Sequence, residues 1–344
     1  MKLPLVASNL LVYGLTHALV DASCIILLLG GIDVKGNLLT YILIYNLLAF
    51  GLQVPFGWLN DRIYQPVLSA ILGCGLVSVS LMLFISPMSA VILAGIGNAL
   101  FHIGGGTVAL SLRPGKAALP GLFVAPGGIG LFAGGVVLKT YGFHPEIIAS
   151  FLLVMGLSIF LIKSPLIVYK IRKTNKVNYL AITILLLLIT ICFRSVVGLS
   201  LNFPWKSNMT LLIYLTAAIA LGKGLGGFLA DYFGWIKIAV GGLMISALLM
   251  FFGPKVAFAG IAGLLFFNLT MPVCLVAISN LLPGRPGFSF GLTAFAMVAG
   301  ALPTFFKIKS FFSASPVILI LIILSTIALF IGLKLYNLQQ QFKS

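Results

Sequence analysis

Apolar stretches of about twenty residues follow one another along almost the whole chain, broken only by short runs of Gly, Pro and charge. A segment of that length crosses the ~30 Å hydrocarbon core of a bilayer as a helix, which satisfies its backbone polar groups internally where no water can. A water-soluble alternative is excluded, because 8% of the 344 residues are charged against about 25% in a typical soluble domain. Read from these breaks, spans are expected at 4–30, 37–58, 67–85, 89–112, 119–138 and 146–162, then at 179–201, 209–229, 236–253, 256–282, 287–306 and 316–335. The expected architecture is all-α and polytopic: twelve transmembrane helices in two six-helix bundles, 1–162 and 179–344, joined by a cytoplasmic basic linker over 163–178. The first stretch follows a single Lys2, is too long for a signal h-region and shows no small-residue cleavage site, so a retained helix beginning from Met1 is expected.

The chain holds 21 Lys+Arg against 5 Asp+Glu, a formal net charge of +16. In a soluble protein that excess would point to nucleic acid; here orientation accounts for it. With a cytoplasmic N-terminus, thirteen basic residues fall inside and six outside, while Arg194 and Lys223 lie within spans. The positive-inside rule then puts both termini on the cytoplasmic side of the inner (plasma) membrane, with no nucleic-acid partner. Cys24, Cys74, Cys192 and Cys274 all sit in apolar segments, without CxxC spacing and without histidines nearby in sequence. They read as small buried hydrophobes, so neither a disulfide nor a metal site is expected. There is no GxxxxGK[ST] loop and no room for a soluble nucleotide domain, so no cofactor and no enzymatic activity are expected.

The halves overlay at an offset of 170, pairing Gly57 with Gly227, Asp61 with Asp231, Asn98 with Asn268 and Gly130 with Gly300. The aspartate match carries the most weight, since acids are so few. Parallel six-helix repeats are how many secondary transporters are built, with the substrate site at the repeat interface near the midplane.

Charged side chains at bilayer depth cost from about 2.5 to over 10 kcal/mol and are functional candidates by default. Asn9, Tyr13, His17 and Asp21 recur every four residues, forming one polar stripe on the first helix. Asp21 is the only carboxylate deep in any span, suited either to take up and release a proton as a cavity opens to each side or to form a structural salt bridge. His17 and His102 are the other coupling candidates, and His102 forms an i, i+4 pair with Asn98. Arg194 lies at a depth in the seventh span similar to that of Asp21 in the first, and the two are expected to meet. A guanidinium keeps its proton, so it must be neutralised by Asp21, by backbone or by an anionic substrate. Lys223 stands at the repeat position of Gln53 and either contacts substrate or snorkels to the interface. Two cations against one carboxylate favour anionic or strongly polar solutes, with substrate contacts expected from Arg194, Asn98, Lys223, Gln53, Tyr13 and Asn268. His144, in an outer loop, falls outside this set.

Gly57-Trp58-Leu59-Asn60-Asp61-Arg62, with its counterpart Gly227-Phe228-Leu229-Ala230-Asp231, resembles the GxLxDRxGRR loop of the major facilitator superfamily. The resemblance implies alternating access and a gating role for Asp61, Arg62 and Asp231. Tyr64 stands where that family has Gly, and Gln65-Pro66 replaces its basic pair. Ala125-Pro126-Gly127-Gly128-Ile129-Gly130, followed by Gly134-Gly135, is similar to the fifth helix of the superfamily's antiporters; Pro126 frees a backbone carbonyl and bends the helix. His17-x3-Asp21 and Asn98-Ala99-Leu100-Phe101-His102 resemble the fosmidomycin-resistance branch, which usually continues Phe-His with Pro-Glu where this chain has Ile103-Gly104-Gly105-Gly106. Together these imply a monomeric secondary transporter in the lipid bilayer, moving a small polar or anionic organic solute, with proton-coupled efflux as the first expectation. The alternatives are a proton symporter or uniporter for metabolite uptake, or a non-transporting sensor or lipid enzyme. A sensor calls for a soluble signalling domain and an enzyme for clustered acid, base and nucleophile, and the sequence shows neither.

Overall fold

The computed structural model describes residues 3–32, 38–82, 86–169, 179–306 and 309–341, and among these the regular structure is entirely helical. The helices are α1 Leu3–Gly31, α2 Leu38–Ile63, α3 Pro66–Met82, α4 Pro87–Leu112, α5 Ala118–Tyr141, α6 Pro145–Leu161, α7 Leu180–Ser200, α8 Met209–Phe233, α9 Trp235–Phe252, α10 Ala257–Leu281, α11 Pro286–Phe305 and α12 Ser315–Gln341. Among the described residues ten of these are long and apolar enough to cross a membrane, and α3 and α6 are apolar helices of 17 residues each, at the lower end of the ~17–25 residues that span a bilayer. The chain is a multi-pass membrane protein.

The helices run past the expected span ends where the sequence turns polar. α2 continues to Ile63 and α8 to Phe233, so Asp61, Arg62 and Asp231 occupy final helical turns instead of connecting loops. Each helix stops where the backbone turns left-handed, at Tyr64 (φ 58°) after α2 and at Gly234 (φ 101°) after α8. The position where the resemblance expects Gly therefore needs a positive φ, and Tyr64 adopts it at a cost of about 1–2 kcal/mol. Residues 163–169 of the expected linker have no regular structure, and 170–178, with Lys170, Arg172, Lys173 and Lys176, lie outside the described residues.

The chain divides into two compact units. One comprises Met1–Pro114, Phe123–Tyr169 and Gly284–Phe295; the other comprises Gly115–Leu122, Lys170–Pro283 and Ala296–Ser344. In the first, glycines set the helix contacts, as small residues do where lipid supplies no hydrophobic drive. A Cβ on Gly73 of α3 would lie 2.7 Å from Phe101 Cα of α4, and one on Gly134 of α5 would lie 2.8 Å from Ala22 Cα of α1. Gly130 of α5 is likewise pressed onto Ala18 of α1. α1 is thereby held against α5. In the second unit Gly222 and Gly226 of α8 pack onto the backbone of α10, and Gly300 of α11 onto Cys192 of α7. α10 loses regular helical bonding at Leu269–Thr270, just before Pro272, which has no N–H to give the carbonyl of Asn268.

Candidate functional site

The polar stripe of α1 meets α4 and α5 inside the first unit. His17 and Asp21, one turn apart, face Asn98 and His102, likewise one turn apart on α4. His17 Nδ1 lies 2.7 Å from the carbonyl oxygen of Phe123, and His102 Nδ1 lies 2.9 Å from that of Asn98. A carbonyl only accepts, so both Nδ1 atoms carry hydrogen and donate. Both Nε2 atoms are then bare lone pairs in the neutral rings, yet they stand 2.9 Å apart, with the rings edge to face at 87°. Two lone pairs at that distance repel unless something positive lies between them. Asp21 supplies the balancing charge, with Oδ2 3.4 Å from His17 Nε2 and Oδ1 3.8 Å from His102 Nε2. Asn98 Nδ2 donates to Asp21 Oδ1 at 3.2 Å and fixes that carboxylate.

The walls are apolar and close. Phe101 and Phe123 are fully buried, with ring centroids 6.1 and 4.8 Å from that of His17. Asp21, with 15% of its side chain exposed, is the open side of the cluster. Pro126 lies inside α5 and cannot donate to the Leu122 carbonyl one turn back, next to the Phe123 carbonyl that His17 uses. Gly127 lets α5 come close to α1, since a Cβ there would stand 2.6 Å from Asp21 Oδ2 and collide with His17 Nε2.

Of the residues singled out from sequence, the structure thus brings together His17, Asp21, Asn98 and His102, with Tyr13 buried one turn before His17. The absence of Cys/His spacing hid this convergence of two histidines and a carboxylate. Gln53 is buried but bonds within its own helix, Nε2 to Ala49 O at 2.7 Å, and Asn268 does the same with Leu264 O at 2.8 Å. Lys223 is half-buried on α8, its carbonyl against Gly121.

In the second unit Arg194 is buried on α7. Its Nη2 donates to Phe267 O at 3.0 Å, its carbon stands 4.8 Å from the Phe267 ring centroid, and its Nε has no hydrogen-bond partner. The break in α10 frees the Phe267 carbonyl, which also accepts from Thr270 Oγ1 at 3.1 Å. Asp21 and Arg194 each find these contacts inside their own unit.

The two corner aspartates share one geometry. Asp61 accepts the backbone N–H of Gly287 at 2.9 Å and of Phe288 at 2.7 Å, at the start of α11. Asp231 accepts those of Ala117 at 3.1 Å and Ala118 at 3.0 Å, at the start of α5, and also Trp235 Nε1–H at 3.1 Å. Each carboxylate satisfies two orphan donors and meets the positive end of a helix dipole. Arg62 is exposed and lies 3.9 Å from the ring centroid of Trp58.

No protein-family model and no curated protein matches the chain. Solved structures do, over nearly its whole length. It is similar to the Escherichia coli fucose:proton symporter FucP at 13% identity and a TM-score of 0.70, covering 97% of this chain and 98% of that one. It is similar to a bacterial homologue of the iron transporter ferroportin, in an outward-facing state, at 13% identity and a TM-score of 0.68, covering 99% and 100%. It is similar to the human organic anion transporter MFSD10 at 14% identity and a TM-score of 0.73, covering 96% and 100%. At these identities what is shared is the fold, that of major facilitator superfamily transporters.

Proposed function

We propose that this chain is a monomeric secondary transporter of the inner membrane, with twelve spans and both termini cytoplasmic. Two pseudo-equivalent six-helix bundles, 1–162 and 179–344, would alternate access and couple a small polar or anionic solute to protons at His17, Asp21 and His102. The observation that carries it is the 2.9 Å approach of two Nε2 atoms whose Nδ1 atoms are both committed to carbonyls. That geometry calls for one additional proton shared between the rings, with Asp21 as counter-charge. A conformational change that moves α5 off α1 takes the Phe123 carbonyl from His17 and releases that constraint, which links proton occupancy to helix movement.

The anionic solute is supported by Arg194, buried and met by a carbonyl and a ring, with one N–H unspent. Among proteins of the same fold, one neighbour is a proton symporter and another an organic anion transporter. Matching aspartates at the starts of α11 and α5 support the repeat and the gating reading. Efflux is the direction favoured by the resemblance of the His17, Asp21 and His102 motifs to the fosmidomycin-resistance branch.

The test uses proteoliposomes loaded with a fluorescent pH indicator and challenged with a panel of mono- and dicarboxylates, sugar phosphates and phosphonates. At least one compound should move protons in the wild type and fail to do so in Arg194→Ala. A panel that moves no protons in either direction, with folded protein in the membrane, overturns the reading.

A further inference from the structure

The cluster on α1 and α4 has the form of a metal site as well as a proton site. We infer that His17 Nε2, His102 Nε2 and a carboxylate oxygen of Asp21 bind a divalent transition-metal ion, of the class Zn²⁺, Co²⁺, Fe²⁺ or Ni²⁺. The inference goes beyond the transport reading and stands whether or not the solute is coupled to protons.

Three observations carry it. The first is spacing: donors held about 2.1 Å from one ion lie about 3.0 Å apart at a right angle and about 3.4 Å apart at the tetrahedral angle. The two Nε2 atoms are 2.9 Å apart, and Asp21 Oδ2 is 3.4 Å from His17 Nε2. The third pair, His102 Nε2 and Asp21 Oδ1, is wider at 3.8 Å, and an ion placed off the line between the rings is within reach of both imidazoles and the carboxylate.

The second is outer support. Ligating histidines almost always donate the other ring N–H to a carbonyl or carboxylate, which fixes the tautomer and aims the free nitrogen at the metal. Both histidines do so here, to Phe123 O and Asn98 O, and Asn98 Nδ2 holds the carboxylate at 3.2 Å. Three ligands with three outer partners is more than a packing histidine needs.

The third is composition and access. Two imidazoles and one carboxylate suit borderline divalent ions over Mg²⁺ or Ca²⁺, which prefer all-oxygen shells. Neutral rings and one negative charge leave a bound divalent ion with a single net positive charge, and three ligands leave at least one coordination position for water or an anionic solute. Asn98 Oδ1, buried and without a hydrogen-bond partner, adds an unspent oxygen on the side chain that orients Asp21.

The probes are Zn²⁺ and Co²⁺, added to full-length protein purified in detergent through a tag that contains no histidine. X-ray absorption of the zinc-loaded wild type should show two imidazole rings and oxygen ligands, at one ion per chain. Calorimetry with Co²⁺ should show affinity at least about tenfold weaker in Asp21→Asn and in His102→Gln, and unchanged in His144→Ala, which removes the exposed His144–Glu146 pair 3.5 Å apart. The absorption measurement needs no variant, so a variant that fails to fold leaves the inference exposed to test. Folded wild type that takes up neither ion, a bound ion with fewer than two imidazoles, or binding lost only in His144→Ala would each overturn it. A chain that binds no metal yet moves protons with a solute keeps the transport reading and loses this one; a chain that binds metal but moves no protons does the reverse.

Discussion

At the residue scale, His17 and His102 are fixed by groups that no sequence pattern names. Their spacing from Asp21 and Asn98 is legible, because i, i+4 pairs on one helix face follow from the 3.6-residue turn. Their meeting is not, because it depends on Gly105 of α4 lying close to Tyr13 of α1, where a Cβ would fall 3.3 Å from the Tyr13 ring, and on a main-chain carbonyl of Phe123, three residues before Pro126, that no side-chain pattern marks. Asp21 is the residue on which the coupling reading turns. Asp21→Asn keeps the volume and the hydrogen bond with Asn98 within reach but removes the charge that balances a proton between the rings. Accumulation driven by a pH gradient should fall at least about tenfold, while exchange of labelled for unlabelled solute continues, since exchange needs no net proton movement. Those two rates, measured in the same proteoliposomes once a solute is in hand, decide it: an Asp21→Asn protein that still concentrates solute at the wild-type rate shows the carboxylate to be structural.

At the element scale, glycines and helix ends decide how closely the helices pack. Gly57 of α2 sits on the backbone of Gly287, where a Cβ would fall 2.6 Å from the carbonyl carbon, whereas a Cβ on Gly75 of α3 would meet nothing within 4 Å. Gly57→Ala must therefore push α2 off the start of α11, costing about 1–3 kcal/mol. Gly75→Ala should be neutral or stabilise by about 0.5–1 kcal/mol through the better helix propensity of Ala. Thermal unfolding in detergent compares the two, and equal midpoints would contradict the packing described. Asp61 guards the same helix end. Asn offers one acceptor oxygen where Gly287 and Phe288 present two N–H groups, so Asp61→Asn leaves one donor facing an NH2 and loses the charge–dipole attraction, worth about 0.3–2 kcal/mol. If that contact biases one access state, engineered cysteines on the two membrane faces should change their labelling ratio by severalfold in Asp61→Asn and in Asp231→Asn, with folded yield retained. Unaltered labelling in both would leave the aspartates as helix caps without a gating role. The motif itself was readable in the sequence; its helical setting was not, because Leu59 and Ile63 in α2, and Tyr232 and Phe233 in α8, continue the apolar pattern past the expected span ends.

At the scale of the whole molecule, the apolar runs made the multi-pass helical class readable, and the likeness to solved transporters bears that out. Helix count is harder to read, since α3 and α6 fall at the short end of what crosses a bilayer. Orientation rests on charge. With both termini cytoplasmic as proposed, thirteen basic residues fall inside and six outside, and Lys163, Lys170, Arg172, Lys173 and Lys176 put five of the thirteen into the connection between the halves. Basic residues close to span ends resist translocation, so that connection should anchor both bundles to the cytoplasm. On the proposed twelve-span topology, in which α3 and α6 both cross and six spans lie between the two sites, reporter fusions within the connection and after Ser344 should both read cytoplasmic. If either of those helices failed to cross, the number of spans would change by one and the Ser344 fusion would part company with the N-terminus. Replacing the five connection residues with Gln cuts the inside excess from seven to two, and the fusion in the connection should then report a mixed population. A connection that stays wholly cytoplasmic without its charges would show that helix packing, and not the basic residues, sets the orientation of the second half.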